Sequence, residues 1–516
     1  MGRFTNDYKE YIIDSPTKRP FLNYLWNKGF QSVFSNTAQG DGFRQKNDEK
    51  RSEIISGRMI YLLCDDKVWT ANGISYEEEI KDYEVRVGRG YSKLRTRFHQ
   101  ISTEWTAFVP ENDTCEIWKF CVKNESSSKK TIRVLPFCGT RFDGQTKYQG
   151  YFTGAKTHYE NGKIICKQPA QSMSDLKPRY AGFIAGEEPD GFETRYKEFV
   201  GIYGAEFYPK ALKLEKLGNH AVCMLEKMSF SYEYFLELMP NEEKELYFAI
   251  GVWYDLSELD DVKNRLLHKD GFLEEFYKIS DVFSKNDENF KIETNNPDFD
   301  GFINIWLRHQ MDFSRCFARG YFNGYRDMCQ DCQSNLMTDY GEMKELLYRI
   351  LAHQYQSGFA PRGWQGPDLI TTNYSDSPVW ILYLLHQAVM EGGELSILEQ
   401  VVPYVDGGED TVYHHAIKAI AYLMDDRNSE GLCKIHGGDW NDVLNRMGHE
   451  GRGGSIWLSM ALYGGIVKMK EIALISGKPF EFDETGLKEA IDYYYKDGYY
   501  PVGTNDKGLT IGIEAE

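Results

Sequence analysis

The feature that most constrains the fold of this chain is a change in hydrophobic period near its midpoint. Before residue 258, apolar and polar residues alternate as they do in strands with one buried face, and Trp118, Phe120 and Val122 would share such a face. Beyond that point, apolar residues recur at the spacing of an amphipathic helix. Because the two patterns are segregated rather than interleaved, the sequence predicts a strand-rich domain followed by a helical region.

Several segments of the first half have the composition and alternation of antiparallel strands, and a turn is predicted at 240–243. The predicted strands are Tyr83–Val87, Arg95–Val109, Trp118–Lys123, Thr131–Phe137, Met228–Leu238 and Glu245–Tyr254. Many strands joined by short turns favour a large antiparallel β-sandwich, which we assign to residues 1–257.

Residues 258–297 are predicted to form a helical linker, in which Gly271 favours two helices over one. After Pro297 the chain is almost wholly helical. The predicted helices are Phe299–Phe317, Met343–Gln356, Pro378–Met390, Thr411–Met424, Ser455–Ala473 and Thr485–Tyr495.

The loops between these helices, at 320–331, 358–376 and 436–448, contain the unusual residues. Helices that only scaffold functional loops favour an α/α barrel over residues 298–516. Within one helix, a single buried stripe is predicted to consist of Ile456, Met460, Tyr463 and Val467.

Charge and cysteine content exclude several functional classes. The net charge of −18 argues against nucleic acids and anionic membrane surfaces as partners. Cys329 and Cys332 lack the second pair that a zinc site needs, so we expect neither a metal site nor redox chemistry there.

The segment Met1–Asp14 lacks a signal-peptide core, and no window of apolar residues is long enough to span a membrane. We therefore expect a cytoplasmic protein with reduced cysteines.

The stretch Gly438–Asp442, with the sequence Gly-Asp-Trp-Asn-Asp, has the clearest chemical content. It places two carboxyls and a tryptophan in one inter-helix loop. The apolar face of a sugar stacks on tryptophan, and a carboxylic acid protonates the leaving oxygen when a glycosidic bond breaks. The alternative is a polar turn in which Asp439 caps a helix and Trp440 fills the core.

Two further loops bear on this motif. Arg315, Arg319 and Arg326 lie close together in sequence beside glycines, and arginine forks bind phosphate, carboxylate or vicinal hydroxyls. The alternative for them is surface charge at the end of a helix. In the other loop, Asp376 or Ser377 is expected to cap a helix that begins at the following proline.

An acid and arginines in the mouth of a barrel suggest cleavage of a glycosidic bond with an anion nearby. An inverting hydrolase supplies a second carboxylate to activate water, whereas phosphate is already nucleophilic and needs no such base. One indispensable acid beside an arginine-lined anion pocket would therefore indicate phosphorolysis.

The sequence resembles the glycoside hydrolase family 94 phosphorylases, formerly glycosyltransferase family 36, which include cellobiose, cellodextrin and chitobiose phosphorylases. The resemblance runs along nearly the whole chain and is most specific at Gly324–Asp327, at Gln330-Asp331 and at Gly438–Asp442. Other matching segments are Arg19–Leu25, Ser35–Thr37, Glu84–Tyr91 and Asn304–Leu307. The same module occurs in cyclic β-1,2-glucan synthases.

The resemblance implies roles for particular residues. Asp442 matches the general acid, and Trp440 matches a residue that lines the glycosyl subsite. Three residues match those that hold the hydroxyls of the non-reducing sugar, namely Arg319, Arg326 and Asp327. Arg315 matches an arginine that helps to bind phosphate.

The resemblance also implies an architecture and an activity. The expected fold is an N-terminal β-sandwich, a helical linker and an (α/α)6 barrel, in a homodimer whose neighbouring N-terminal domain borders the site. The expected activity is inverting phosphorolysis of a β-linked disaccharide or short oligosaccharide to an α-sugar 1-phosphate. Phosphate is a substrate, and neither a metal nor an organic cofactor is implied.

About seven helices are predicted after Pro297, fewer than the twelve of the family barrel. The family's phosphate-binding histidine and threonine would lie further along. We therefore expect an incomplete barrel that contains the acid but lacks part of the phosphate site, with exposed apolar faces that make it inactive alone or dependent on a partner. Two rival functions remain open, an inverting glycoside hydrolase on the same barrel and a non-catalytic carbohydrate-binding protein.

Overall fold

The computed structural model describes residues 2–512 except 16, 46–48, 50, 77–78, 81, 141–155, 169–178, 225, 286 and 317–321, and it describes only the backbone of Gln168 and Arg315. The chain divides into two compact units. The first consists of Met1–Lys285 and Ile292–His309, and the second of Asn286–Lys291 and Gln310–Glu516. Across the described ranges, no helix combines the length and the apolar character needed to cross a bilayer.

The first unit is built from antiparallel strands. In chain order its described strands are β1 Arg3–Phe4, β2 Glu10–Ile13, β3 Leu22–Trp26, β4 Phe30–Ser35, β5 Gly42–Arg44, β6 Ser52–Cys64, β7 Lys67–Thr70, β8 Asp82–Gly88, β9 Tyr91–Phe98, β10 Ile101–Phe108, β11 Cys115–Asn124, β12 Lys130–Thr140, β13 Lys156–Glu160, β14 Lys163–Gln168, β15 Arg179–Ala185, β16 Gly191–Arg195, β17 Val222–Met224, β18 Met228–Leu238 and β19 Glu243–Trp253. One sheet has the order β1-β2-β8-β9-β10-β11-β19-β15-β14-β13-β17. The other has the order β16-β18-β12-β6-β5-β4-β3, and β7 pairs with β6.

The alternation of β11 explains how these strands make layers. Trp118, Phe120 and Val122 are buried in the largest apolar core, as their shared face predicts. Cys115 and Ile117 point the other way, into a second apolar cluster. Both faces of this strand are therefore buried, and the predicted antiparallel sandwich is confirmed.

One predicted strand is wrong. The segment Arg95–Val109 is a hairpin of β9 and β10 rather than one strand. The turn is made by His99 and Gln100, whose φ angles are +46° and +63°. These values suit a two-residue hairpin turn that usually contains Asn-Gly, so the sequence carries no turn signal here.

The first unit also contains α1 Tyr196–Phe199, a 3-10 turn at Lys210–Lys213, α2 Leu256–Leu266, α3 Lys269–Ser284, α4 Pro297–Gly301 and a π-helical segment at Phe302–Leu307. That segment continues into α5 Arg308–Cys316, which belongs to the second unit from Gln310 onward. Helices α2 and α3 confirm the expected pair, but the break falls at residues 267–268 rather than at Gly271. The imidazole of His268 accepts a hydrogen bond from the Gly271 amide at 3.2 Å and so caps α3. A Cβ on Gly271 would lie 1.9 Å from the carbonyl oxygen of Arg265, so this glycine permits a close approach of backbone.

The second unit is helical with short strands. Its described helices are α6 Tyr325–Gln333, α7 Tyr340–Leu351, α8 Trp380–Gly392, α9 Val412–Asp425, α10 Ile456–Ser476 and α11 Thr485–Tyr493, with 3-10 turns at Ser377–Val379, Leu395–Glu399 and Asp442–Leu444. Its described strands are β20 Asn323–Gly324, β21 Gly363–Gln365, β22 Asp368–Ile370, β23 Val401–Pro403, β24 Glu409–Thr411, β25 Cys433–Lys434, β26 Gly454–Ser455, β27 Gly503–Thr504 and β28 Thr510–Ile511.

The helices of the second unit pack in an alternating order. Helix α8 contacts both α6 and α10, while α7 and α11 pack beside α6 and α10 respectively, and α9 contacts α8 and α10. Alternate helices thus lie side by side, with the intervening helices around them, as in the hairpins of an α/α barrel. A strand-rich domain followed by a helical domain is confirmed.

Two helix predictions fail. Residues 325–331 were expected in a loop but belong to α6, whose polar and cysteine-rich sequence hides its buried face. In α10 the buried residues include Leu458, Leu462 and Met469, whereas Val467 is 44% exposed. The helix is apolar on most of its surface, so the pattern did not fix which stripe is buried.

An ion pair links the two sheets inside the sandwich. Arg58 on β6 and Glu116 on β11 are fully buried, with Nε–Oε1 and Nη2–Oε2 distances of 2.7 and 2.8 Å. Arg58 also donates to the carbonyl oxygen of Val33 at 3.0 Å, and Glu116 accepts from the Trp118 indole. The remaining hydrogen-bonding capacity of both charges is thus partly satisfied, which a buried pair requires.

We predict that Arg58→Met lowers the free energy of unfolding of the first unit by about 3–5 kcal/mol, because Glu116 would keep a buried charge without a counter-ion. Urea denaturation followed by tryptophan fluorescence would measure the change. The matched control is Arg95→Met, which removes a 2.7 Å pair with Glu104 from a side chain that is 45% exposed. That variant should lose less than about 1 kcal/mol. Equal losses in the two variants would contradict the prediction.

Candidate active site

The loops that carry the predicted site residues meet at one end of the helical unit. Arg326 lies in the first turn of α6, Asp376 lies just before α8, and Asp439 contacts Ser455, the N-cap of α10. Since these three helices lie side by side, their N-terminal ends form a common floor. Rigid helices thus position side chains that are far apart in sequence.

Backbone hydrogen bonds join two of the loops. The amide of Gly437 donates to the carbonyl oxygen of Asn373 at 2.8 Å. The amide of Ser375 donates to the carbonyl oxygen of Gly438 at 3.0 Å. Gly438 has a φ of +140°, and a Cβ there would meet the ring of Tyr374 at 2.9 Å. A glycine is therefore required where the motif begins.

Asp439, the first acid of the motif, is a structural residue. Its side chain is buried, and it accepts hydrogen bonds from the Ser455 hydroxyl and, at 2.8 Å, from the Asn441 amide. The expected helix-cap role is wrong, because Ser455 itself caps α10 and Asp439 only fixes that serine. Burial raises the pKa of Asp439.

Trp440 is not a core residue, so the alternative in which it fills the core is wrong. It is 54% exposed, and its ring stacks on Trp457 with a centroid distance of 6.0 Å. Trp380 lies on the same aromatic row, with its centroid 6.0 Å from that of Trp457. Beside them is an apolar cavity of about 390 Å³, lined by Val379, Trp380, Tyr383, Trp457, Met460 and Ala461.

Asp442, the second acid, lies between two arginines. Its side chain is 49% exposed. Its Oδ1 is 3.6 Å from Nη2 of Arg326, and its Oδ2 is 3.7 Å from Nη2 of Arg362. The motif thus places one carboxyl within reach of a ligand and buries the other.

Arg326 connects three elements. Its Nη1 lies 3.2 Å from Oδ2 of Asp376 and 3.4 Å from the carbonyl oxygen of Trp440. Asp376 is almost fully buried and also accepts from the Trp380 indole at 2.9 Å. Asp376 occupies the expected N-cap position, before a 3-10 turn that has Pro378 near its start and leads into α8, but its side chain makes no capping hydrogen bond. Burial raises the pKa of Asp376, although Trp380 and Arg326 oppose that effect.

Of the other predicted site residues, the structure describes Asp327 fully, Arg315 only in its backbone and Arg319 not at all. Asp327 follows Arg326 in the first turn of α6, and its carboxylate folds back so closely that a Cβ on Gly324 would lie 2.2 Å from Oδ2. Arg319 lies outside the described residues. Arg315 lies in α5, and its side chain is outside the description. The structure therefore brings together Arg326, Asp327, Trp440 and Asp442, and it describes neither Arg319 nor the side chain of Arg315.

Sequence reasoning missed Arg362. It lies just before β21, and its guanidinium stacks over the ring of Tyr374 at 4.2 Å and faces Asp442. Its loop, 358–376, was recognised as unusual, but no spacing linked this arginine to an acid eighty residues later. Only the pairing of the loops brings the two together.

Comparison with known proteins identifies related chains. Residues 9–269 match the family described as glycosyl hydrolase 94, supersandwich domain, and residues 283–515 match the glycosyl hydrolase 94 superfamily, catalytic domain. The chain is similar to solabiose phosphorylase of Paenibacillus borealis, with 28% identity over all of this chain and 70% of that protein. It is also similar to N,N'-diacetylchitobiose phosphorylase of Vibrio furnissii, with 25% identity over 99% of this chain and 70% of that protein.

Two solved structures share the fold. A protein from the human microbiome described as a kojibiose phosphorylase has a TM-score of 0.57 and 9% identity, over 95% of this chain and 70% of that chain. A bacterial glucoamylase in complex with acarbose has a TM-score of 0.53 and 10% identity, over 94% of this chain and 69% of that chain. At such identities the likeness concerns the fold alone. The two family matches together span nearly all of the sequence, and the chain belongs to the glycosyl hydrolase 94 family.

Proposed function

We propose that the protein catalyses inverting phosphorolysis of a β-linked disaccharide or short oligosaccharide. The products are an α-sugar 1-phosphate and a shortened sugar. The observation that carries the proposal is the half-exposed Asp442 between two arginines and beside the exposed ring of Trp440. The similarity to two disaccharide phosphorylases supports the same chemistry.

In this proposal Asp442 is the general acid that protonates the glycosidic oxygen. It is the accessible carboxyl of its motif, since Asp439 is buried and hydrogen-bonded to Ser455. Asp376 is also buried, and its Oδ2 is engaged by Trp380 and Arg326. Neither of these acids is free to activate a water molecule, as an inverting hydrolase would require. A nucleophile that needs no base is phosphate.

Other residues are assigned roles around this acid. Trp440 offers an exposed ring for the apolar face of the glycosyl unit, with Trp457 behind it. Arg326, Asp327 and Arg319 are proposed to hold the hydroxyls of that sugar, and Arg315 to bind phosphate. Arg326 is suited to the task because Asp376 fixes its orientation.

We further propose a cytoplasmic homodimeric enzyme, classed by its reaction as a glycosyl (hexosyl) transferase, in which the neighbouring N-terminal domain borders the site. The reaction as written breaks one C–O bond and forms another, with phosphate as co-substrate. It therefore calls for neither a metal nor an organic cofactor.

We predict that any conversion of a β-disaccharide panel to sugar 1-phosphate by the purified chain, alone or with a partner, requires phosphate. Asp442→Asn should lower kcat by about 10²- to 10⁴-fold, because the leaving oxygen would lose its proton donor. Sugar 1-phosphate would be measured by phosphoglucomutase-coupled assay and by anion-exchange chromatography. Asp425→Asn, which changes an acid at the end of α9, serves as the control and should leave kcat unchanged.

The same panel separates the rival functions. Sugar release without phosphate would identify a hydrolase. Binding of sugar without turnover, unaffected by Asp442→Asn, would identify a carbohydrate-binding protein. Either result would contradict phosphorolysis.

We also predict that Trp440→Ala weakens binding of the disaccharide about 10- to 100-fold, since it removes the exposed stacking surface. Trp440→Phe should recover part of the affinity because a ring remains. Tyr493→Ala, which removes a ring that is 70% exposed on α11, is the control. Equilibrium titration calorimetry would measure the dissociation constants, and an unchanged value in Trp440→Ala would remove this residue from the site.

A further inference from the structure

The two carboxylate oxygens of Asp442 face different arginines, and the site therefore has two sides, one at Arg326 and one at Arg362. Oδ1 faces Arg326, which also contacts the carbonyl oxygen of Trp440. That side therefore belongs with the stacking surface assigned to the glycosyl unit. Oδ2 faces Arg362, which contacts neither Trp440 nor Asp376 among the described residues.

We propose that Arg362 lines the side of the site occupied by the departing sugar and binds an anionic group, such as a carboxylate, on that sugar. The inference rests on the proposed function, because it takes Asp442 as the proton donor. It names a specificity-determining residue and a substrate class, namely β-glycosides whose leaving sugar is an acid.

The stereochemistry of the reaction supports this placement. In an inverting displacement the nucleophile approaches the face of the anomeric carbon opposite to the acid. A group 3.7 Å from the acid therefore lies nearer to the leaving oxygen than to the attacking phosphate. An anion held by Arg362 is best placed on the sugar that leaves.

The charge balance supports an anionic ligand. Asp442 is the one carboxylate within ion-pair distance of Arg362 in the described part of the chain. Whenever Asp442 carries the proton that it donates, this pairing ends. Arg326 remains paired with the buried Asp376, but Arg362 then has no carboxylate partner among the described residues. An acidic leaving sugar would supply the missing counter-charge.

The geometry of Arg362 suits a carboxylate. Its guanidinium lies over the ring of Tyr374 at 4.2 Å, and its side chain is 33% exposed. Stacking fixes the plane of the guanidinium and leaves its N–H edge available, and such an edge binds a carboxylate through two parallel hydrogen bonds.

The test compares ligands that differ in one carboxyl. Titration calorimetry on the 516-residue chain would use methyl β-D-glucuronide against methyl β-D-glucoside, gluconate against glucitol, and inorganic phosphate. We expect the acid to bind about 10- to 100-fold more tightly than its neutral counterpart in at least one pair, with a preference that falls as salt rises.

Substitutions test whether Arg362 causes the preference for the acidic ligand. Arg362→Gln should abolish it, and Arg362→Lys should retain part of it because the charge remains. The preference should persist in Trp440→Ala, whose lost ring belongs to the glycosyl side. Lys470→Gln is the control, since it removes an exposed cation that pairs with Glu484 on the surface. Near-ultraviolet circular dichroism would establish that each variant is folded.

Four results would overturn the inference. They are equal affinities for acid and neutral ligand in the unaltered chain, no binding of either, a preference lost in Trp440→Ala, and an Arg362→Gln variant that loses only phosphate affinity. The last would place Arg362 in the phosphate site. Because the titration needs no turnover, a chain that keeps the preference but forms no sugar 1-phosphate would contradict the proposed function alone.

Discussion

The contacts of Arg326 are the constraint on which the candidate site depends. One guanidinium reaches a buried acid before α8, a backbone carbonyl in the motif loop and the accessible carboxyl of Asp442. These groups come from two separate loops, and Arg326 itself belongs to α6, so a single side chain connects three elements. Asp376 gives this largely buried cation a buried counter-charge, which a guanidinium withdrawn from water requires.

The two carboxyls of the motif, Asp439 and Asp442, differ in burial and therefore in what they can contact. Asp439 is buried, and its oxygens accept hydrogen bonds from Ser455, the N-cap residue of α10, and from the Asn441 amide. That arrangement sets the path of the loop, and it turns Trp440 and Asp442 outward. Exposure, rather than residue type, distinguishes the acid that can meet a ligand from the one that holds the loop.

The sequence predicted the sandwich, most helices and the motif because each is signalled locally. Hydrophobic period identified β11 and α9, and the spacing of two acids around a tryptophan identified the loop. It failed where the signal is not local. The turn at His99 lacks the usual residues, α10 is apolar on most sides, and Arg362 meets Asp442 only through loops paired in three dimensions. The roles assigned to Asp442, Trp440, Arg326, Asp327, Arg319 and Arg315 all stay predictions.

The environment of Asp442 therefore depends on how the surrounding helices pack. Its two arginines are carried by α6 and by the loop before β21, and the acid itself precedes α10. Apolar contacts among α6, α8 and α10 set the distances between these elements, and the buried residues of α8 occupy the middle of that core. Since a misplacement of about 1 Å can reduce a rate by about 10²-fold, the proposed catalysis by Asp442 would depend on the packing around α8 as well as on the acid itself.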